Sequence, residues 1–223
     1  RIMRVLAICL VACFILMGTA LAQKPDEIER PEGADRLDCI TDGYDAYTGG
    51  TGGIVPDADP VGVTFGPLAT SGTAAIEDVI LKVNISATWI GDVRLWLLYD
   101  TDCDGFAEVT GELLCRHQLD GCPPDGCCGC SGNLSGWYGF DDTAASIEDI
   151  CPSTFANGCY GPDYDSSGLS VFDGYASGGC FWLFCADGAG GDVTQIFEWE
   201  VYVLTDITPV EESTWTMVKA LFR

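Results

Sequence analysis

The chain has 223 residues, with 34 acidic side chains against 10 basic ones, and a formal charge of −24. Such acidity argues against nucleic acid and anionic membranes as partners and leaves cations, basic protein surfaces and neutral glycans open. The length suits one domain with a sizeable core plus tails.

The N-terminus reads as a targeting segment. Met3 and Arg4 make a short basic start, residues 5–17 are apolar, and Ala20-Leu21-Ala22 is an A-x-A cleavage pattern. Residues 1–22 are expected to be a signal peptide cut before Gln23. The apolar run is short for a membrane span, so no membrane insertion is expected after cleavage, and the protein is expected to be secreted or at the cell surface. A rival lipobox, Leu10-Val11-Ala12-Cys13, is opposed by the apolar residues that follow Cys13. After cleavage the chain keeps 8 basic and all 34 acidic residues, a formal charge of −26.

Residues 23–53 read as a flexible leader followed by a Gly-rich linker, Thr48-Gly-Gly-Thr-Gly-Gly53. The folded domain is expected over 54–206, entered by an extended stretch, 54–63, with two Pro and two Asp. Residues 76–86 alternate, with Val79, Leu81, Val83 and Ile85 on one face and Ile80, Lys82 and Asn84 on the other. Residues 93–99 alternate again: Val93, Leu95, Leu97 and Tyr99 against Arg94, Trp96 and Leu98. A short strand follows at 111–116. Residues 119–136 carry Gly, Pro and four Cys and read as a disulfide-knotted loop; 147–168 is again loop-rich. Strands are expected at 179–185 and 196–204, the latter with Phe197, Trp199, Val201 and Val203 on one face. No helical period appears before Ser213. Short strands and many Gly indicate an all-β sandwich with a disulfide-rich loop insert. The tail, 207–223, can form a short helix capped by Ser213 or serve as a sorting signal.

Eleven cysteines follow the signal peptide, at 39, 103, 115, 122, 127, 128, 130, 151, 159, 180 and 185. In an oxidising compartment they read as up to five disulfides with one left over, free or joining two chains as a covalent dimer. The Cys122–Cys130 cluster would suggest zinc in a cytosolic chain. Cys180 and Cys185 lie ~17 Å apart along one strand and cannot bridge each other. Each must reach elsewhere, and a buried thiol at Cys185 is an alternative.

The strongest chemical signal is Asp100-Thr101-Asp102-Cys103-Asp104-Gly105, a D-x-D-x-D-G loop. Alternate carboxylates followed by Gly wrap oxygen ligands around one Ca²⁺. Asp100, Asp102 and Asp104 take positions 1, 3 and 5, Phe106 offers its carbonyl at 7, and Glu108 lies at 9. Position 12 is Gly111, with Glu112 one residue late, so the loop is not an EF-hand. The alternative is an acidic hairpin with no ion.

Several motifs then resemble a family. Ile54-Val-Pro-Asp57 with Pro60-Val-Gly62, Val83-Asn-Ile-Ser86 with Gly91-Asp92-Val93, Phe140-Asp-Asp142, Tyr160-Gly-Pro162, and Gly179-x-Phe181-x-Leu183-x-Cys185-x-Asp187 with Gly191-Asp192 and Trp199 are similar, in order and spacing, to the P domain (P/Homo B domain) of subtilisin-like proprotein convertases. The resemblance covers about 54–205 and implies a jelly-roll-like β-sandwich. The chain departs from it in Phe181, Cys185, the calcium loop and the Cys-rich insert. No protease domain is read within this chain, so the family role of bracing an attached protease does not carry over within it.

Catalysis finds little support. The sole histidine, His117, sits between Arg116 and Gln118 beside the knotted loop. Some carboxylate pair will lie at glycosidase spacing by chance among 34 acids. Trp137 and Tyr138 either stack on a sugar or cover the loop. The reading is a secreted, non-catalytic, calcium-binding β-sandwich, an extracellular binding or accessory module for an unidentified protein or glycan. The alternatives are a secreted glycan-active hydrolase and a self-assembling surface subunit.

Overall fold

The computed structural model describes Cys39 and residues 43–115, 130–163 and 166–206. The expected signal peptide, most of the expected leader, His117, the cysteines at 122, 127 and 128 and the 207–223 tail lie outside the described residues. Nine strands are present among those described: β1 (Asp45–Val55), β2 (Asp59–Ala69), β3 (Ile76–Ala87), β4 (Val93–Asp100), β5 (Val109–Cys115), β6 (Leu134–Phe140), β7 (Gly158–Tyr160), β8 (Cys180–Asp187) and β9 (Thr194–Thr205). They form two sheets, ordered β1-β9-β3-β6-β7 and β2-β8-β4-β5. Pairing is antiparallel except between β6 and β7. The protein is a β-sandwich.

The period-two pattern of β4 explains its place. Val93, Leu95, Leu97 and Tyr99 are fully buried between the sheets, while Arg94, Trp96 and Leu98 are half-buried on the outer face. There Trp96 stacks on Phe184 at 4.8 Å, and the Arg94 guanidinium lies over the Trp96 ring at 4.6 Å. β4 sits between β8 and β5 and pairs along its length with β8 and from Arg94 to Tyr99 with β5. From β3, Val79, Leu81, Val83 and Ile85 supply the facing layer, with Trp199, Val201 and Val203 from β9.

Four sequence expectations change. The Gly-rich stretch 48–53 is not a linker: it lies in β1 and pairs with β9, so the domain begins at least nine residues before Ile54. The glycines make room for a neighbour. A Cβ on Gly50 would sit 2.5 Å from the Trp199 ring, whose Nε1 donates to the Thr51 carbonyl at 3.4 Å. The leader is also tied down at Cys39, which is disulfide-bonded to Cys159. In β9, the pairing slips between Asn84↔Glu198 and Ile85↔Ile196. That bulge reverses the alternation, so Ile196 joins Trp199 in the core and Phe197 is half-exposed. Residues 134–136 open β6 rather than closing the loop, and 158–160 form the short β7.

Candidate metal centre

The loop between β4 and β5 begins where the core ends. Tyr99 packs on Phe181 with ring centroids 4.4 Å apart and donates its hydroxyl to the Ala176 carbonyl at 2.5 Å. Asp100 follows, fully buried, beside Cys180 in the ladder. The chain then turns through two left-handed residues, Cys103 at φ 59° and Gly105 at φ 97°. Cys103 is pinned there by a disulfide to Cys180, Cα–Cα 5.3 Å. The Glu108 N–H donates to the Tyr99 carbonyl at 3.0 Å and closes the hairpin.

Backbone donors shape the carboxylates. Asp100 Oδ2 accepts from the Gly105 N–H at 2.8 Å and its Oδ1 from the Asp104 N–H at 3.2 Å. Asp102 Oδ1 accepts from the Asp104 N–H and Asp104 Oδ1 from the Phe106 N–H. Glu108 Oε2 accepts from the Thr101 N–H at 2.8 Å and from its hydroxyl at 3.2 Å. Desolvation works against ionisation of Asp100. The N–H groups of Gly105, Asp104, Cys103 and Asp102 outweigh it and hold this carboxyl below its ordinary range.

Asp100, Asp102, Asp104 and Glu108 each present an oxygen within 4.8 Å of the others. Oxygens bound to one Ca²⁺ at about 2.3–2.6 Å lie at most about 5 Å apart, so the cluster has the right dimensions for a single ion. Each carboxylate oxygen that takes one N–H still has a lone pair to offer. No basic side chain serves the cluster among the described residues. Lys82 lies over the Tyr202 ring at 5.1 Å. Arg94 is stacked on Trp96, ~20 Å up the strand from Asp100. The oxygen-only donor set suits a hard divalent cation.

Glu112 is not brought to this cluster. It sits within β5 opposite Trp96, its N–H donates to Ser167 Oγ at 3.0 Å, and its Oε2 accepts from the Cys115 thiol at 3.8 Å. The strand starts at Val109, so Glu112 is already ~10 Å into the ladder. Phe106 is at the loop tip with its ring exposed. Two supports are invisible in the D-x-D-x-D-G pattern: Thr101, which orients Glu108, and Cys180, which anchors the tip from another strand. The odd count of cysteines leaves Cys180 without a nominated partner in the sequence. Trp137 and Tyr138 are buried, with the Tyr138 hydroxyl donating to the Phe155 carbonyl at 3.0 Å, so neither presents a face to a sugar ring.

No family model and no curated protein matches this chain. Among solved structures, the crystal structure of the Aeromonas sobria serine protease (ASP) and chaperone (ORF2) complex is similar at a TM-score of 0.37 and 14% identity. The match covers 73% of this chain and 26% of that one, so the chain spans about a quarter of its neighbour's length.

Proposed function

We propose that this protein is a secreted or cell-surface, non-catalytic β-sandwich of P-domain type that binds Ca²⁺ through the Asp100–Glu108 loop and serves as an extracellular binding or accessory module. The observation that carries the reading is the convergence of four carboxylates, with no basic side chain among them, on a loop held by a disulfide. The three disulfides among the described residues suit an oxidising compartment. No helix among the described residues is long and apolar enough to cross a membrane. The P-domain assignment rests on the order of the sequence motifs, and the sandwich is the architecture they imply.

The ion's role is structural. Four negative charges within one ion's reach repel each other, and a cation removes that repulsion while adding coordination. With no bidentate Glu at position 12, the affinity belongs with weak extracellular sites, a Kd of about 10⁻⁴–10⁻³ M. At ~1 mM Ca²⁺ the linkage contribution is roughly 0.4–1.4 kcal/mol, a rise in Tm of about 1–6 °C for a domain of this size. The test is melting in Ca²⁺ and in chelator for the wild type and Asp102→Ala. The shift is expected in the wild type and reduced in the variant; equal shifts in both would remove the ion from this loop.

A further inference from the structure

The outer face of the five-stranded sheet is closed. Leu81, Val83 and Ile85 of β3 and Tyr138 and Phe140 of β6 belong to the core. Ile80, Lys82 and Asn84, and on β6 Trp137 and Gly139, therefore lie on the face turned away from it. Yet Ile80, Asn84 and the neighbouring Glu200 of β9 are each 1% exposed, and Lys82 and Trp137 only 3%. Every described strand lies either in this sheet or in the sheet across the core, so no described strand covers this face. Lys and Glu are almost never buried this far on a face that meets water.

Two acceptors on the same face await donors. Asn84 Oδ1 and Gln195 Oε1 are buried with no hydrogen-bond donor among the described residues, and both side chains are more than nine-tenths buried. Native proteins rarely leave such oxygens unserved. Asn84 stands between Trp137 of β6 and Glu198 of β9, and Gln195 pairs with Ser86, two residues further along β3. Whatever covers this strip brings N–H groups.

The chain enters the domain across this face. Cys39 is bonded to Cys159 of β7, and its Sγ fills the space that a Cβ on Gly139 would need. Gly139 pairs with Lys82, so Cys39 sits on the outer face level with Lys82. Downstream the chain heads for one end of the sheet. A Cβ on Gly43 would stand 3.5 Å from Leu204, and the Tyr44 hydroxyl donates to Asp78, which pairs with Leu204. Upstream of Cys39, a chain that keeps this direction runs toward Asn84 and Gln195. Those two lie ~7 and ~14 Å from the Lys82 level along the sheet. Three extended residues span ~10 Å, which brings Arg36 between them. Residues 23–38 also hold three of the eight basic residues that follow the expected cleavage site, Lys24, Arg30 and Arg36. The strip offers them Glu198 and Glu200 against the single Lys82.

We infer that residues 30–38 dock as an extended strap across the outer face of the five-stranded sheet, with Arg36 donating to Asn84 Oδ1 and Gln195 Oε1. A guanidinium carries five N–H donors in a fixed fork, enough for both oxygens and for Glu198. The Cys39–Cys159 bond holds the strap's end in place, so docking costs little further chain entropy. The leader is then a structural layer of the domain.

The experiment is amide hydrogen exchange of the full chain together with limited trypsin digestion, for the wild type and Arg36→Ala. Lys24 and Arg30 each precede a proline, so Arg36–Leu37 is the one ordinary trypsin site in this stretch. In the native wild type, residues 30–38 should exchange, and the Arg36–Leu37 bond should be cut, about tenfold or more slower than in a synthetic peptide of residues 30–42. Arg36→Ala should return the exchange of residues 30–38 toward the peptide's rate while β1 and β9 stay protected. Peptide-like exchange and cutting in the wild type would overturn the strap. So would free exchange at 30–38 with protection at 213–222, which would make the tail the cover, or protection that rises with protein concentration, which would make it a second copy. Protection unchanged in Arg36→Ala would overturn Arg36 as the donor.

Discussion

Cutting the Cys103–Cys180 bond should destabilise the fold and loosen the Asp100–Glu108 loop together. The variant is Cys103→Gly/Cys180→Ala. Glycine is chosen at 103 because that residue has φ 59°, which glycine adopts without strain, so the substitution isolates the cross-link from the backbone. The bond closes a segment of 77 residues. Chain entropy for that separation gives about 4.5 kcal/mol of stability, through restriction of the unfolded chain. For a domain of this size the loss corresponds to a fall in Tm of about 9–18 °C. The ladder from Val93↔Asp187 to Asp100↔Cys180 is untouched, so the variant should still fold. The assay is denaturant unfolding of both proteins without reductant, followed by Ca²⁺ titration of each. The calcium-dependent shift should be smaller in the variant, because the loop tip must then be ordered by the ion alone. A stability loss below about 1 kcal/mol with unchanged calcium response would refute the view that this bond presets the site.

Three further outcomes follow from particular contacts. Gly50→Ala drives a Cβ to 2.5 Å from the Trp199 ring and should cost about 1–3 kcal/mol in denaturant unfolding; a neutral result would mean that β1 does not pack against Trp199. Glu112→Gln should leave the calcium-dependent melting shift at its wild-type size, since Glu112 lies along β5 beside Cys115; a reduced shift would return it to the ligand set. Of the eleven cysteines after the expected signal peptide, six are in disulfides and Cys115 and Cys185 carry thiols, which leaves three, an odd number. Thiol titration of denatured, unreduced chain should therefore find at least three thiols, or at least two with a covalent dimer; a single thiol would show that Cys115 or Cys185 is oxidised.

The parts of the fold that the sequence displays are those where one physical signal acts alone. β4 alternates strictly because one face meets the core and the other carries the Arg94–Trp96–Phe184 stack, and its loop is legible because three Asp at every second position have few other uses. β1 is illegible because its glycines match a linker until the Trp199 ring that needs their space is placed above them. The face of β9 is misread at Phe197 because a bulge leaves no mark in the alternation. Phe106, Glu108 and Glu112 are nominated by analogy with a twelve-residue loop. The early start of β5 keeps Glu108 and removes Glu112.

Calcium at the Asp100–Glu108 loop is tested most directly by a crystal structure of the full chain grown in Ca²⁺, with anomalous data to identify the ion. The expected result is an anomalous peak with oxygens of Asp100, Asp102, Asp104 and Glu108 about 2.3–2.6 Å away. Well-ordered carboxylates at these four residues, held only by their backbone N–H groups and water with no anomalous peak among them, would contradict it.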